Sequence, residues 1–255
     1  MTGADQHAPD ALVPAPPVLV SHPWRPGAAL ALAALMLAVN SIASLGVSAV
    51  LAGDANDTTT SLLVGACLSA GYLITMSVVW LGAASNGTGF ARSIALRRPR
   101  GSSIAVWVGM ALGGALVARV LALVYGVIIA ASRVKLPGME SDPLALFPGG
   151  WVSALVMLVV VVIFAPFAEE VVFRGVLLPA LGAQWGNVVA VAVSAAVFAL
   201  SHVNAFVFIP ILFASLIFGW LFVRFESLWP AFVCHASFNA VAAVLTLVLG
   251  RGGAL

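Results

Sequence analysis

The chain has 255 residues, 62% of them hydrophobic and only 8% charged, with a mean hydropathy of +1.14. Soluble domains carry roughly a quarter charged residues, so a soluble fold is excluded and an all-α, polytopic transmembrane helix bundle is expected. Eleven basic and nine acidic residues give a net charge of +2, too balanced for nucleic acid to be a partner; the lipid bilayer is one.

Residues 1–27 are rich in Pro and Ala and lack a basic segment leading into an apolar core and cleavage site. They read as a flexible tail rather than a signal peptide. Residues 28–255 read as one integral membrane domain. A bilayer-crossing helix needs about 20 apolar residues, and the apolar runs place about seven spans near 28–52, 61–84, 103–131, 151–178, 188–206, 207–224 and 228–249. Between the fifth and sixth, Asn204 and Pro210 fit one broken helix, two short ones or a re-entrant segment.

Arg92, Arg97, Arg98 and Arg100 cluster between the second and third spans, and the positive-inside rule puts that loop in the cytoplasm. The preceding loop holds Asp54 and Asp57 and no basic residue, which puts the N-terminus inside. The Ala- and Val-rich chain fits a bacterial plasma membrane. In the third span, Gly109 and Gly113 form a small-xxx-small pattern for close helix packing, and Arg119 needs a partner that the sequence does not name. Cys67 and Cys234 lie in apolar stretches and are too few for a disulfide framework.

Ionisable groups within spans are costly and therefore mark function. Of nine acidic residues, only Glu169 and Glu170 fall in a predicted span, and of four histidines only His202 and His235 do. Glu170 and Arg174 stand at i, i+4 with the acid N-terminal, the favourable order for an ion pair. Adjacent Glu169 points about 100° away and is left without a local partner, as a general base requires. Its register with His202 follows from a turn at 182–186. Glu169 lies about 15 residues before it and His202 about 17 after, so in an antiparallel pair the two meet at one height. Phe198, one turn before His202, would pack beside the site, and Pro166 would bend the helix and admit water. By the same rule Arg174 falls near the cytoplasmic surface, with Glu169 about 8 Å deeper. His235 and Asn239 share a face of the last span. They fit donors to a developing oxyanion, metal ligands, or an interhelical hydrogen bond.

Residues 169–174 read EExxxR, Phe198 to His202 reads FxxxH, and His235 to Asn239 reads HxxxN. In order and setting these resemble the CPBP family, the CAAX protease and bacteriocin-processing or ABI family, related to eukaryotic CAAX prenyl endopeptidases. The resemblance covers a protease-like core at about 150–245; the first 150 residues carry no matching motif. It implies an intramembrane endopeptidase acting on a membrane-associated peptide or protein. In it Glu169 and His202 activate water and His235 and Asn239 stabilise the tetrahedral oxyanion, while Glu170 and Arg174 match the family's second glutamate and arginine. Family members are commonly labelled metalloproteases, yet the H-E-x-x-H pattern is absent. Metal-free water activation is the preferred expectation, with one divalent ion, zinc, on Glu169, His202 and His235 as the alternative. Two other classes compete: a proton-coupled transporter using Glu169, His202 and His235 as a relay, and a non-catalytic immunity or scaffold protein. The first half holds no second copy of EExxxR or HxxxN, which counts against a transporter built from repeats.

Overall fold

Several of the long apolar runs begin at a residue that satisfies the free N–H groups of the first helical turn or has none to satisfy. The computed structural model describes residues 23–139 and 150–251. Helix α1 (Pro26–Leu51) opens on a proline, whose missing N–H costs nothing there. Asn56 caps α2 (Asp57–Ser85), its side chain accepting the Thr59 N–H at 3.0 Å. A short α3 (Phe90–Ser93) precedes α4 (Ile104–Ser132), which Ser103 caps. A continuous helical stretch then carries α5 (Gly150–Met157), α6 (Ala165–Glu170) and α7 (Leu178–Ser201), followed by α8 (Ala205–Phe225) and α9 (Leu228–Arg251). Among the described residues there is no strand. Of the stretch read as a tail, residues 1–22 lie outside the described residues. Trp24 is buried against Gly82 and donates its indole N–H to the Ser93 carbonyl at 3.1 Å.

Six helices are long and apolar enough to cross a membrane, and one of them, Gly150–Ser201, is 52 residues long. It folds back at Gly186, whose φ of +75° a side chain would strain. Beyond that point Ser194 Oγ donates to the Phe173 carbonyl at 3.1 Å, and the Phe198 ring meets Phe173 at 4.9 Å. The two limbs are therefore antiparallel, which makes seven membrane segments among the described residues. The return limb, 187–201, is about 22 Å long, so His202 at its end stops short of a full crossing of the ~30 Å hydrocarbon core. The chain then breaks at 202–204, earlier than the expected 206/207 join. The reason is Asn204: its side-chain oxygen accepts the N–H groups of Phe206 and Val207 at 3.0 and 3.2 Å and starts α8, while Pro210 lies inside that helix.

Loop contacts sort the two faces of the bundle. Glu226 pairs with Arg97 at 3.0 Å and Arg100 at 2.8 Å, and the Leu228 N–H donates to the Ala95 carbonyl. The α8–α9 turn thus shares the arginine-rich face. The Phe206 N–H donates to the Pro137 carbonyl, which sets the α7–α8 break on the other face.

The limb bearing the glutamates departs from regular helix twice. Over Leu158–Phe164 and Val171–Leu177 the turns widen to π-type. The Ala165 N–H reaches back five residues to the Val160 carbonyl, and the Leu178 N–H five residues to Phe173. Each widened turn is followed within two residues by a proline, Pro166 and Pro179. A proline ring crowds the carbonyl four residues earlier and offers no N–H, and a widened turn relieves both. Glu169 and Glu170 lie on the short α6 between them, the kind of place where single π turns recur at functional sites.

Small residues pack α4 into the bundle, though not those expected. Ala111, Ala115 and Ala118 are its buried positions. A Cβ on Gly114 would lie 2.9 Å from Ile217 Cγ2 and 3.2 Å from Cys234 Sγ, whereas Gly109 and Gly113 face open space. The close approach to α8 and α9 is at Gly114, one residue out of the predicted pattern. Gly114→Leu should cost about 1–3 kcal/mol by overpacking and lower the melting midpoint in detergent, while Gly113→Leu leaves it unchanged.

Candidate active site

Four elements converge around Glu169. Its Oε1 accepts the Tyr72 hydroxyl of α2 at 3.1 Å, and its Oε2 lies 3.7 Å from His235 Nε2 on α9. The sequence left Glu169 without a local partner; in the fold it has one from a different span. Tyr72 is one of two tyrosines in the chain. A phenol in mid-span was the signal available for it, missed because the inventory of polar span residues stopped at acids and imidazoles.

Glu170 is fully buried and holds two cations or donors at once. Arg174 Nη1 donates to its Oε1 at 2.9 Å, and His235 Nδ1 lies 2.8 Å from the same oxygen. Arg174 is itself fully buried, and its neighbour Gly175 packs against Ile94 of the loop that carries the arginine cluster. Its Nη2 donates to the Ser215 carbonyl and hydroxyl at 3.0 and 2.5 Å, and its guanidinium stands 4.8 Å from the Phe198 ring and 5.3 Å from Phe218. Weakly hydrated, planar guanidinium suits such an aromatic slot. Ser215 carried no recognisable signal in the sequence.

The imidazoles are oriented by what their Nδ1 atoms meet. His202 Nδ1 lies 2.9 Å from the Phe198 carbonyl, which can only accept, so Nδ1 carries the proton and Nε2 of the neutral ring is a lone-pair acceptor. His235 Nδ1 donates to the Glu170 carboxylate at 2.8 Å, which turns its Nε2 toward Glu169 Oε2. The His235 ring stacks on Phe218 at 4.7 Å and takes the edge of Phe198 at 5.6 Å. Asn239 Nδ2 donates to the Val161 carbonyl at 3.0 Å, a group within a widened turn; one amide N–H remains. Arg119 has its partner next door: it donates to the Phe238 carbonyl and stacks 3.8 Å from that ring.

Glu169, His202, His235, Asn239 and Tyr72 all line one cavity of about 260 Å³, walled by Phe198, Phe218 and Phe238. A zinc centre needs three or four converging donors. Among the described residues no three His, Cys, Asp or Glu side chains are arranged to hold a metal ion, so Glu169, His202 and His235 do not form a ready metal centre.

The fold is a bundle of membrane-length helices that encloses carboxylate, imidazole and amide groups in an apolar chamber. Residues 151–241 match the family described as Rce1-like, type II CAAX prenyl endopeptidase Rce1-like. That segment contains all three motifs and agrees with the resemblance they carry. The match supports a CAAX-type protease of the membrane in general, with a membrane-associated peptide as substrate. No curated protein and no solved structure matches the chain.

Proposed function

We propose that the chain is an intramembrane endopeptidase that hydrolyses peptide bonds of membrane-associated substrates, with its protease-like core at about 150–245 and its N-terminus on the cytoplasmic side. The observation that carries this reading is the convergence of Glu169, His202, His235 and Asn239 on one cavity. Water held between Glu169 Oε2 and His202 Nε2 gives its proton to the carboxylate as its oxygen bonds to the scissile carbonyl carbon. The carbonyl π electrons move to oxygen, where the remaining Asn239 N–H and the doubly protonated His235 ring donate to the oxyanion. Collapse breaks the C–N bond, and the proton taken by Glu169 passes to the leaving amine. Glu170, fixed by Arg174, holds His235 in the required orientation. Aromatic walls keep bulk water out, which strengthens each of these interactions.

The test is cleavage of a peptide library by purified protein in lipid nanodiscs, read by mass spectrometry. Wild type should yield defined fragments and Glu169→Ala none; identical fragments from both would end the reading. A chelator adds a second arm. Since no ready metal centre is present among the described residues, turnover should survive treatment with a strong zinc chelator. Loss of activity that returns with added zinc would recast the histidines as ligands.

A further inference from the structure

Behind Glu169 lies a second cavity of about 140 Å³. It shares three residues with the larger one: Tyr72, Glu169 and His202. Apart from these, the larger chamber is bounded mainly by α8 and α9, through residues such as Ala214 and Phe238, whereas the smaller is bounded by α1, Phe173 and Ser201. The shared residues therefore stand where the two spaces meet.

The two spaces differ in chemistry. The smaller has room for roughly four waters at about 30 Å³ each. Its lining includes the polar residues Asn40, Ser201, Tyr72 and Glu169, enough to supply the two to four polar partners a water needs. Asn40 is brought in by Gly71: a Cβ on Gly71 would lie 2.9 Å from Asn40 Oδ1. Only a glycine lets that amide lie against α2, beside Tyr72. The larger chamber has the volume and aromatic walls suited to a side chain of a peptide.

We propose that the smaller cavity is the water store of the enzyme, and that nucleophile and peptide reach Glu169 from opposite sides of Tyr72. This rests on the endopeptidase reading for its kinetics but not for its existence. Hydrolysis consumes one water per turnover, and a chamber plugged by an apolar peptide cannot resupply it. A separate store behind the carboxylate removes that conflict.

Two measurements test it. The first needs no turnover: Asn40→Cys and Ile42→Cys variants in sealed lipid vesicles are treated with a small water-soluble methanethiosulfonate, with wild type setting the background from Cys67 and Cys234. Ile42 lies on the same helix and is 67% exposed on its outer side. Thiolates form in water and not in hydrocarbon, so Asn40→Cys should react at least tenfold faster than Ile42→Cys. Equal rates would overturn the proposal while leaving the peptidase reading intact. The second is kinetic, on a peptide that wild type cleaves. Asn40→Leu should lower kcat about tenfold with KM unchanged, and Ala214→Leu, in the larger chamber, should raise KM. A raised KM with unchanged kcat in Asn40→Leu would show that peptide, not water, occupies the smaller space.

Discussion

Purified Glu169→Gln should fold, insert and fail to cleave peptide, with turnover lowered by about 10² to 10⁴, the usual contribution of a general base. The replacement keeps the shape and the capacity to accept the Tyr72 hydroxyl at the position of Oε1, and removes only the basic oxygen 3.7 Å from His235. His202→Ala should lose a comparable factor, because in the proposed mechanism its Nε2 is the second acceptor for the same water. The double variant should be little worse than either single one, since groups that act on one proton as a unit are not additive. Additive losses would mean that the two residues serve different steps, and near-wild-type turnover by Glu169→Gln would remove it from the chemistry. Thermal melting of each variant in detergent separates lost activity from lost fold.

Arg174→Ala should cripple the protein in a different way, by cutting the yield of folded material. Removing one member of a buried ion pair costs about 3–5 kcal/mol, because the remaining charge has no water to turn to. Here Glu170 would keep only His235, and Ser215 and two aromatic rings would lose their partner. The combined Glu170→Gln and Arg174→Gln replacement leaves no isolated charge and should recover much of the yield. It should not recover turnover, because a neutral amide cannot support His235 carrying both protons. Yield and melting midpoint read the first effect and peptide cleavage the second. Equal yields from the single and double variants would show that the pair is not what holds this region together.

The spans were legible because bilayer-length apolar runs with polar breaks have one solution: α1, α2, α4 and α9 begin and end within a few residues of the predicted runs. The break before α8 was misplaced because Asn204, read as an interruption inside a run, is a cap that begins the next helix. Glu169 and His202 line one cavity because the turn near Gly186 brings their two antiparallel limbs together, while the i, i+4 spacing of His235 and Asn239 puts both on the face that α9 turns to it. The features that stayed hidden depend on neighbours distant in the chain. Nothing around Tyr72 announces that α2 will pass Glu169, and nothing around Gly114 distinguishes it from Gly113 until α8 and α9 are in place. The second link of Glu170, to His235 sixty-five residues away, was equally invisible to local spacing. Pro166 and Pro179 did carry a signal for the widened turns; Pro166 was read only as a bend, and Pro179 was not read.

Those two turns make the limb between Gly150 and Gly186 a counting device. A π turn is an ordinary helix with one residue too many, and each added residue rotates the rest of the helix by about 100°. The first turn therefore sets the direction in which Glu169 points, and the second adds a further rotation ahead of Leu177 and Leu178, which are buried. Elsewhere in a membrane helix one apolar residue more or less is absorbed by a small tilt. In this limb the same change would swing the carboxylates to another face while leaving hydropathy and every motif spacing untouched. The number of residues in the first widened turn is as much a part of the site as the glutamates themselves.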